Sequence, residues 1–177
     1  VYHTSLGPTK FLKLNDSAAV GTGTGYWNDT APSATLVTLG NDGGVNQNTK
    51  NMVAYCFAGK KGYSKLGEYW GNGQTSNGTF VYTGFRPSFI LMKRTSGGTG
   101  NWQIFDDKRL GYNGGNSYLS PNDDAVENTG GQIDLLSNGF KMRNNGTYTN
   151  ASGDTYMYAA FAEFPIVSSN DVPTVAR

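Results

Sequence analysis

Cysteine and histidine are almost missing from this chain: 177 residues contain one of each, Cys56 and His3. A single cysteine excludes an intrachain disulfide and any multi-cysteine zinc cluster, and a single histidine removes the usual partners of a catalytic triad. Cys56 is expected to be a small hydrophobe buried in a strand. Charge is also scarce, at 15% of residues with a formal net charge of +1, so no basic stripe or acidic tail points to nucleic acid. Long apolar runs are absent too, and no stretch approaches the roughly 20 residues of a membrane-spanning helix. The first residues, VYHTSLG, carry neither an initiator Met nor a charged-then-apolar signal, and the chain is expected to be a processed product or a piece of something longer.

What is present is glycine (25), tyrosine (11) and phenylalanine (9), beside polar runs such as NDGGVNQNTKN and RNNGTYTNASGDT. Gly, Asn and Asp supply the positive-φ positions of tight turns, and Tyr, Phe and Thr suit pleated, half-buried surfaces. The composition is that of an all-β protein, and we expect an antiparallel β-sandwich of jelly-roll or lectin-like form. Alternation and turn punctuation place strands near 10–14, 35–39, 51–58, 79–83, 88–95, 101–106, 132–136, 139–143 and 155–163. In TYMYAAFAEF neither alternating face is strongly polar, which predicts a central strand covered on both sides.

The chain also repeats itself. NMVAYCFAG at 51–59 and TYMYAAFAE at 155–163 align at an offset of 104, pairing Phe57 with Phe161 and Ala58 with Ala162. Further back, VTLGNDGG from Val37 faces FKMRNNGT from Phe140, VYHTSLG from Val1 faces IFDDKRLG from Ile104, and FLKLND at 11–16 faces YLSPND at 118–123 after four extra residues. A fixed period with loop-sized insertions is the mark of a duplicated unit. The expected organisation is a partial unit over 1–58 that completes the sheet, a full unit over 59–162 and a tail over 163–177, with all three able to form one compact domain. Cys56, Phe57, Met157 and Phe161 are expected in a core shared with Tyr82, Phe89 and Ile104.

Paired carboxylates are the remaining conventional catalytic option: Asp106 with Asp107, Asp123 with Asp124, and Glu68 and Glu163. Glycoside hydrolysis needs two carboxylates facing each other across a cleft, whereas neighbours on a strand point to opposite faces and turn aspartates cap backbone groups. The reading is therefore not an enzyme. NDGGVNQN and SPNDD offer oxygens of the kind calcium prefers but read as hydrogen-bonded turns, so no metal or cofactor is expected. Five N-x-S/T sequons, at Asn15, Asn28, Asn77, Asn145 and Asn150, follow from composition. Sugar binding suits this surface better, because aromatic rings stack on the apolar faces of pyranoses while amides and carboxylates serve the rim. LGEYWGNGQTSNGTF and GGTGNWQIFDD nominate Glu68, Tyr69, Trp70, Asn72, Asn101, Trp102 and Asp106 as a glycan-binding set.

YWGNGQTSNGTFVYTGFRPSFILMKRTSGGTGNWQIFDDKR, LSNGFKMRNN, TYMYAAFAE and the terminal VPTVAR together resemble a domain of uncharacterised function found in predicted tail-fibre and other virion structural proteins of marine bacteriophages. In that family the segment resembling NMVAYCFAGKKGYSKLGEYWGNG joins one copy to the next; relatives often carry an acidic residue after the CFA phrase, where this chain has Gly59, Lys60 and Lys61. The resemblance implies a virion-surface module with other virion proteins as partners, self-associating as a homotrimer if it is a fibre and touching host-surface polysaccharide. A capsid decoration or head-fibre protein, and a carbohydrate-active enzyme on a β-sandwich, are the alternatives. The resemblance brings no catalytic residues.

Overall fold

A computed structural model describes residues 1–109, 113–130 and 132–164; the terminal VPTVAR and most of the expected 163–177 tail lie outside them. The chain is all-β. Eleven strands are described: β1 (Lys10–Phe11), β2 (Gly21–Thr22), β3 (Ser64–Trp70), β4 (Phe80–Tyr82), β5 (Phe89–Arg94), β6 (Gln103–Asp106), β7 (Ser117–Tyr118), β8 (Asn128–Thr129), β9 (Ile133–Leu136), β10 (Gly139–Met142) and β11 (Thr155–Phe161). Two four-residue helices, α1 (Thr24–Trp27) and α2 (Gly43–Asn46), lie between β2 and β3.

All pairings between these strands are antiparallel. The largest sheet has the order β3-β11-β5-β6, a second has β4-β10-β9, and β1-β2 and β7-β8 are two-stranded ribbons. β11 is central, with Tyr158 opposite Gly67 of β3 and Met92 of β5. Its two sides enter different clusters, as alternation requires. Tyr156, Tyr158 and Ala160 join Tyr69, Ile90, Met92 and Phe105 of the same sheet and Val81, Ile133, Leu135, Phe140 and Met142 of the three-stranded sheet. Met157, on the other side, packs with Trp102 and Leu12, bordered by Leu6, Val20 and Leu91, so the N-terminal segment covers the second face of the four-stranded sheet.

Within the three-stranded sheet β10 and β4 approach so closely at Gly139 that a Cβ there would lie 2.1 Å from the carbonyl oxygen of Val81 across their ladder. Gly139→Ala should therefore destabilise the fold by about 1–3 kcal/mol, the usual cost of overpacking. Chemical denaturation with an unchanged slope is the check, and a wild-type midpoint would refute the close approach.

Several expectations need correction. Residues 51–58 form no strand and are exposed; Cys56 is exposed and Phe57 is 62% accessible. The segment from 35 to 39 is likewise irregular. β11 already occupies the position between β3 and β5, so the similar phrase at 51–58 has no equivalent place among the described strands. The two phrases are thus not equivalent strands here. Of the expected core, Met157 is buried, Phe161, Phe89 and Ile104 are half-buried, and Tyr82 is 59% exposed. β3 was not expected as a strand because Lys65, Gly67 and Glu68 interrupt its apolar signal; pairing along β11 imposes the conformation instead.

Candidate functional site, a groove between two sheet edges

β3 is one edge of the four-stranded sheet and β4 is one edge of the three-stranded sheet. The two edges stand beside each other without forming a ladder, and between them runs an open groove of about 490 Å³ whose lining includes Lys65, Glu68, Trp70, Thr79, Phe80 and Tyr82. Tyr69 and Tyr158 form its floor from the core side.

Strand parity decides which rings reach solvent. On β4, Val81 points into the core and is 7% exposed, while its neighbours Phe80 and Tyr82 are 45% and 59% exposed. On β3, Tyr69 points inward and Glu68 and Trp70 are exposed. The edges are tied at both ends by side chains. Lys65 Nζ donates to the Tyr82 carbonyl at 2.8 Å and lies 5.4 Å from the centre of the Tyr82 ring; Thr79 Oγ1 donates to the Trp70 carbonyl at 2.7 Å. Residues that carry flat rings, a cation and a carboxylate thus line one shallow groove.

The seven nominated residues divide. Glu68 and Trp70 line the groove. Asn72 lies just beyond it, exposed, but its amide is committed to the loop: Nδ2 donates to Asn77 O at 2.8 Å, and Oδ1 accepts from Gln74 N at 3.0 Å and Asn150 Nδ2 at 3.1 Å. Tyr69 is a core residue; its hydroxyl donates to Thr149 O at 2.7 Å, its ring stacks on Tyr156 at 5.1 Å, and burial raises its pKa well above the ordinary value. Trp102 is fully buried with its indole N–H on Lys13 O at 2.8 Å, so it has no face to offer a sugar. Asn101 is bonded to Asp123 and Asn122, both at 3.0 Å. Asp106 accepts from the backbone N–H groups of Lys108 and Arg109 and pairs with the Arg109 guanidinium at 2.7 Å. The GGTGNWQIFDD stretch therefore serves the fold.

Of the other carboxylates considered for hydrolysis, Asp107, Asp123 and Glu163 are engaged, Asp123 accepting from Ala125 N at 3.1 Å. Asp107 accepts from Ser88 Oγ at 2.7 Å and pairs with Arg86 at 3.4 Å, and Glu163 holds Lys108 at 2.8 Å. Among the described residues no three His, Cys, Asp or Glu side chains converge on a metal-sized site. His3 is buried, its Nδ1 2.8 Å from Ser5 Oγ, and burial lowers its pKa, so it is neutral at pH 7.

Sequence reasoning missed Lys65, Thr79, Phe80 and Tyr82. The signal was available in TFVYTG, where a lone Val between two aromatic residues in a short strand puts both rings on the face opposite the core. A second hollow of about 730 Å³, lined by Arg94, Thr99, Tyr118, Gln132 and Tyr148 among others, was also missed, because its walls come from segments far apart in the chain. It is polar, and Arg94 within it is paired with Asp154 at 2.5 Å.

Comparisons with curated proteins and with solved structures find no match for this chain. The family model of DUF7483, a domain of unknown function, matches residues 1–165, and the chain belongs to that family.

Proposed function

We propose that this protein is a virion-surface module that binds host-surface glycan without turning it over, through the groove between β3 and β4. The observation that carries the reading is that three residues with exposed rings, Trp70, Phe80 and Tyr82, line one groove together with Glu68 and Lys65. Exposed aromatic rings in a concavity provide stacking platforms, and the adjoining charged groups supply directional bonds to hydroxyls. The virion context rests on the resemblance of the YWGNGQTSNGTF to TYMYAAFAE region to tail-fibre and virion proteins. Self-association, as a homotrimer in a fibre, and contact with other virion proteins belong to the same proposal. A shallow open groove binds weakly per site, and many copies on one particle convert weak sites into firm attachment.

A glycan array probed with multivalent protein tests the site. Trp70→Ala and Tyr82→Ala should each weaken binding about tenfold, which corresponds to ~1.4 kcal/mol lost from a stacking contact. Trp102→Ala is not a useful binding variant, since that side chain is in the core. Parent-like binding by both groove variants would refute the site, and release of reducing sugar would refute binding without turnover.

A further inference from the structure

The repeat seen in the sequence has a counterpart in the structure that is confined to particular places. Shifted by 107 positions, the ribbon β1-β2 falls on β7-β8 rung for rung: Lys10↔Thr22 on Ser117↔Thr129, and Phe11↔Gly21 on Tyr118↔Asn128. The same shift carries the Asp16 carboxylate, which accepts from Ala18 N at 2.7 Å, onto the Asp123 carboxylate, which accepts from Ala125 N at 3.1 Å. Reciprocal backbone bonding between Val1 and Leu12 reproduces that between Ile104 and Leu119, with Leu12 N→Val1 O and Leu119 N→Ile104 O both at 3.1 Å.

Shifted by 104, the turn in which Val45 N and Asn46 N both reach Asp42 O falls on the turn in which Thr149 N and Asn150 N both reach Gly146 O. Even the side chains follow. Asn46 Nδ2 donates to Gly40 O at 2.9 Å, and Asn150 Nδ2 donates to Asn144 O at 2.7 Å.

What fails to repeat is equally ordered. The counterpart of β11 is 51–57, and the counterparts of β9 and β10 lie between residues 29 and 39; both stretches are irregular and largely exposed, including Leu36, Val37, Val53, Tyr55 and Phe57. β11 is held by β3 and β5, and β10 by β4 on one side and β9 on the other. Apart from β9, whose counterpart belongs to the same irregular stretch as that of β10, the holding strands lie between residues 64 and 94, a region that precedes Ile104, the counterpart of Val1. Local turns and ribbons thus form in the first half, while the strands that require those partners do not. Strands cannot bury their backbone groups alone, and an exposed aromatic strand sequence has sticky consequences unless it is paired.

We propose that residues 1–58 are the second half of a repeat unit and bind an unoccupied first half of the kind formed by residues 59–103, supplied by a further copy of that segment. In the assembled unit 51–57 lies between two strands as β11 lies between β3 and β5. Cys56 then takes the position of Ala160, which is fully buried, and Phe57 that of Phe161. The inference rests on register and hydrogen bonding and is independent of the groove.

Cys56, the sole thiol, reports the event. The test compares the full chain with the same chain carrying a second copy of residues 59–103 joined directly ahead of Val1, the register that the Val1 and Ile104 correspondence dictates. Labelling of Cys56 by a maleimide should slow by about 100-fold or more, because reaction then requires local opening of a paired strand. Amide protons of 52–57 should gain exchange protection, those of β11 should keep theirs, and the extended chain should remain monomeric. The same extension with Ile90→Asp in the added copy should leave Cys56 reactive, since Ile90 faces Ala160 across the β5–β11 ladder. The proposal is overturned if labelling is unchanged by the extension, if the Ile90→Asp extension protects equally, or if β11 loses protection. It is also overturned if the unextended chain already shields Cys56, whether as a monomer using its own β3 edge or as a dimer of exchanged copies.

Discussion

Replacing Trp102 by Ala should cost ~3–5 kcal/mol of stability, the range for large aromatic truncations in cores, and should release the N-terminal segment from the sheet. The indole is fully buried just before β6, and its N–H donates to Lys13 O at 2.8 Å, so one side chain joins the four-stranded sheet to the segment that covers it. Leu12 and Met157 pack directly on it, and Lys93, also buried, lies 5.8 Å from the ring centre with its ammonium on the carbonyls of Ser17 and Gly100. Truncation opens a cavity and strands the Lys13 carbonyl at once. Denaturant unfolding measures the loss, and exchange of the Lys10 and Leu12 amides shows whether the N-terminal cover has lifted. A cost below about 1 kcal/mol would mean that this residue is not the joint described. Phe161, half-buried at the end of β11, should cost less than Trp102 when truncated.

Raising the pH above 10 should unfold the protein steeply. Tyr69, Tyr156 and Tyr158 share one core, and burial raises the pKa of each, that of Tyr158 to about 12. An unfolded tyrosine gives up its proton near 10. Between those values the unfolded chain binds fewer protons than the native one, so stability falls as pH rises; below 10 it is fully present. Two pKa units on Tyr158 alone amount to ~2–3 kcal/mol. Buried Lys93 works in the opposite sense, because desolvation lowers its pKa, so the unfolded chain holds the proton more tightly and stability gains as pH approaches 10.5. That gain ends where the tyrosine loss begins. Tyrosinate absorbance rising together with loss of the β-sheet signal is the expected result, and Tyr158→Phe should move the midpoint to higher pH. Titration of the buried hydroxyls near pH 10 with the fold intact would contradict their burial.

How much of this was legible depended on whether a residue's fate is local. β5, β9, β10 and β11 follow from alternating apolar residues between turn signals, and the two-sided burial of β11 follows from the absence of a polar face in TYMYAAFAEF. Residues 51–58 carry nearly the same phrase and form no strand, since a strand is a relation between segments and its phrase does not say whether partners are free. β3 shows the converse: a strand interrupted by Gly67 and two charges, held in place by β11.

The site divides for a related reason. In GEYWG the rings of Tyr69 and Trp70 were grouped by composition, yet adjacent residues on a strand point to opposite faces, and parity sends Tyr69 to the core and Trp70 to solvent. Trp102 looked like a sugar platform because NWQIFDD is polar at both ends; the N-terminal segment that buries it arrives from ninety residues away. Phe80 and Tyr82 became site residues only when β4 was set beside the β3 edge.

Accessibility of Trp70 offers the most direct test of glycan binding at the groove. Of the three tryptophans, Trp27 is 8% exposed, Trp102 is fully buried and Trp70 is 60% exposed, so acrylamide quenching of indole fluorescence reports chiefly on the groove. A panel of bacterial surface polysaccharides is titrated into the protein at fixed quencher. The account predicts that a binding polysaccharide shields Trp70 saturably, that Trp70→Ala abolishes the shielded component, and that no reducing ends appear during the titration. Bound polysaccharide that leaves Trp70 as quenchable as before, or that is cleaved, would contradict it.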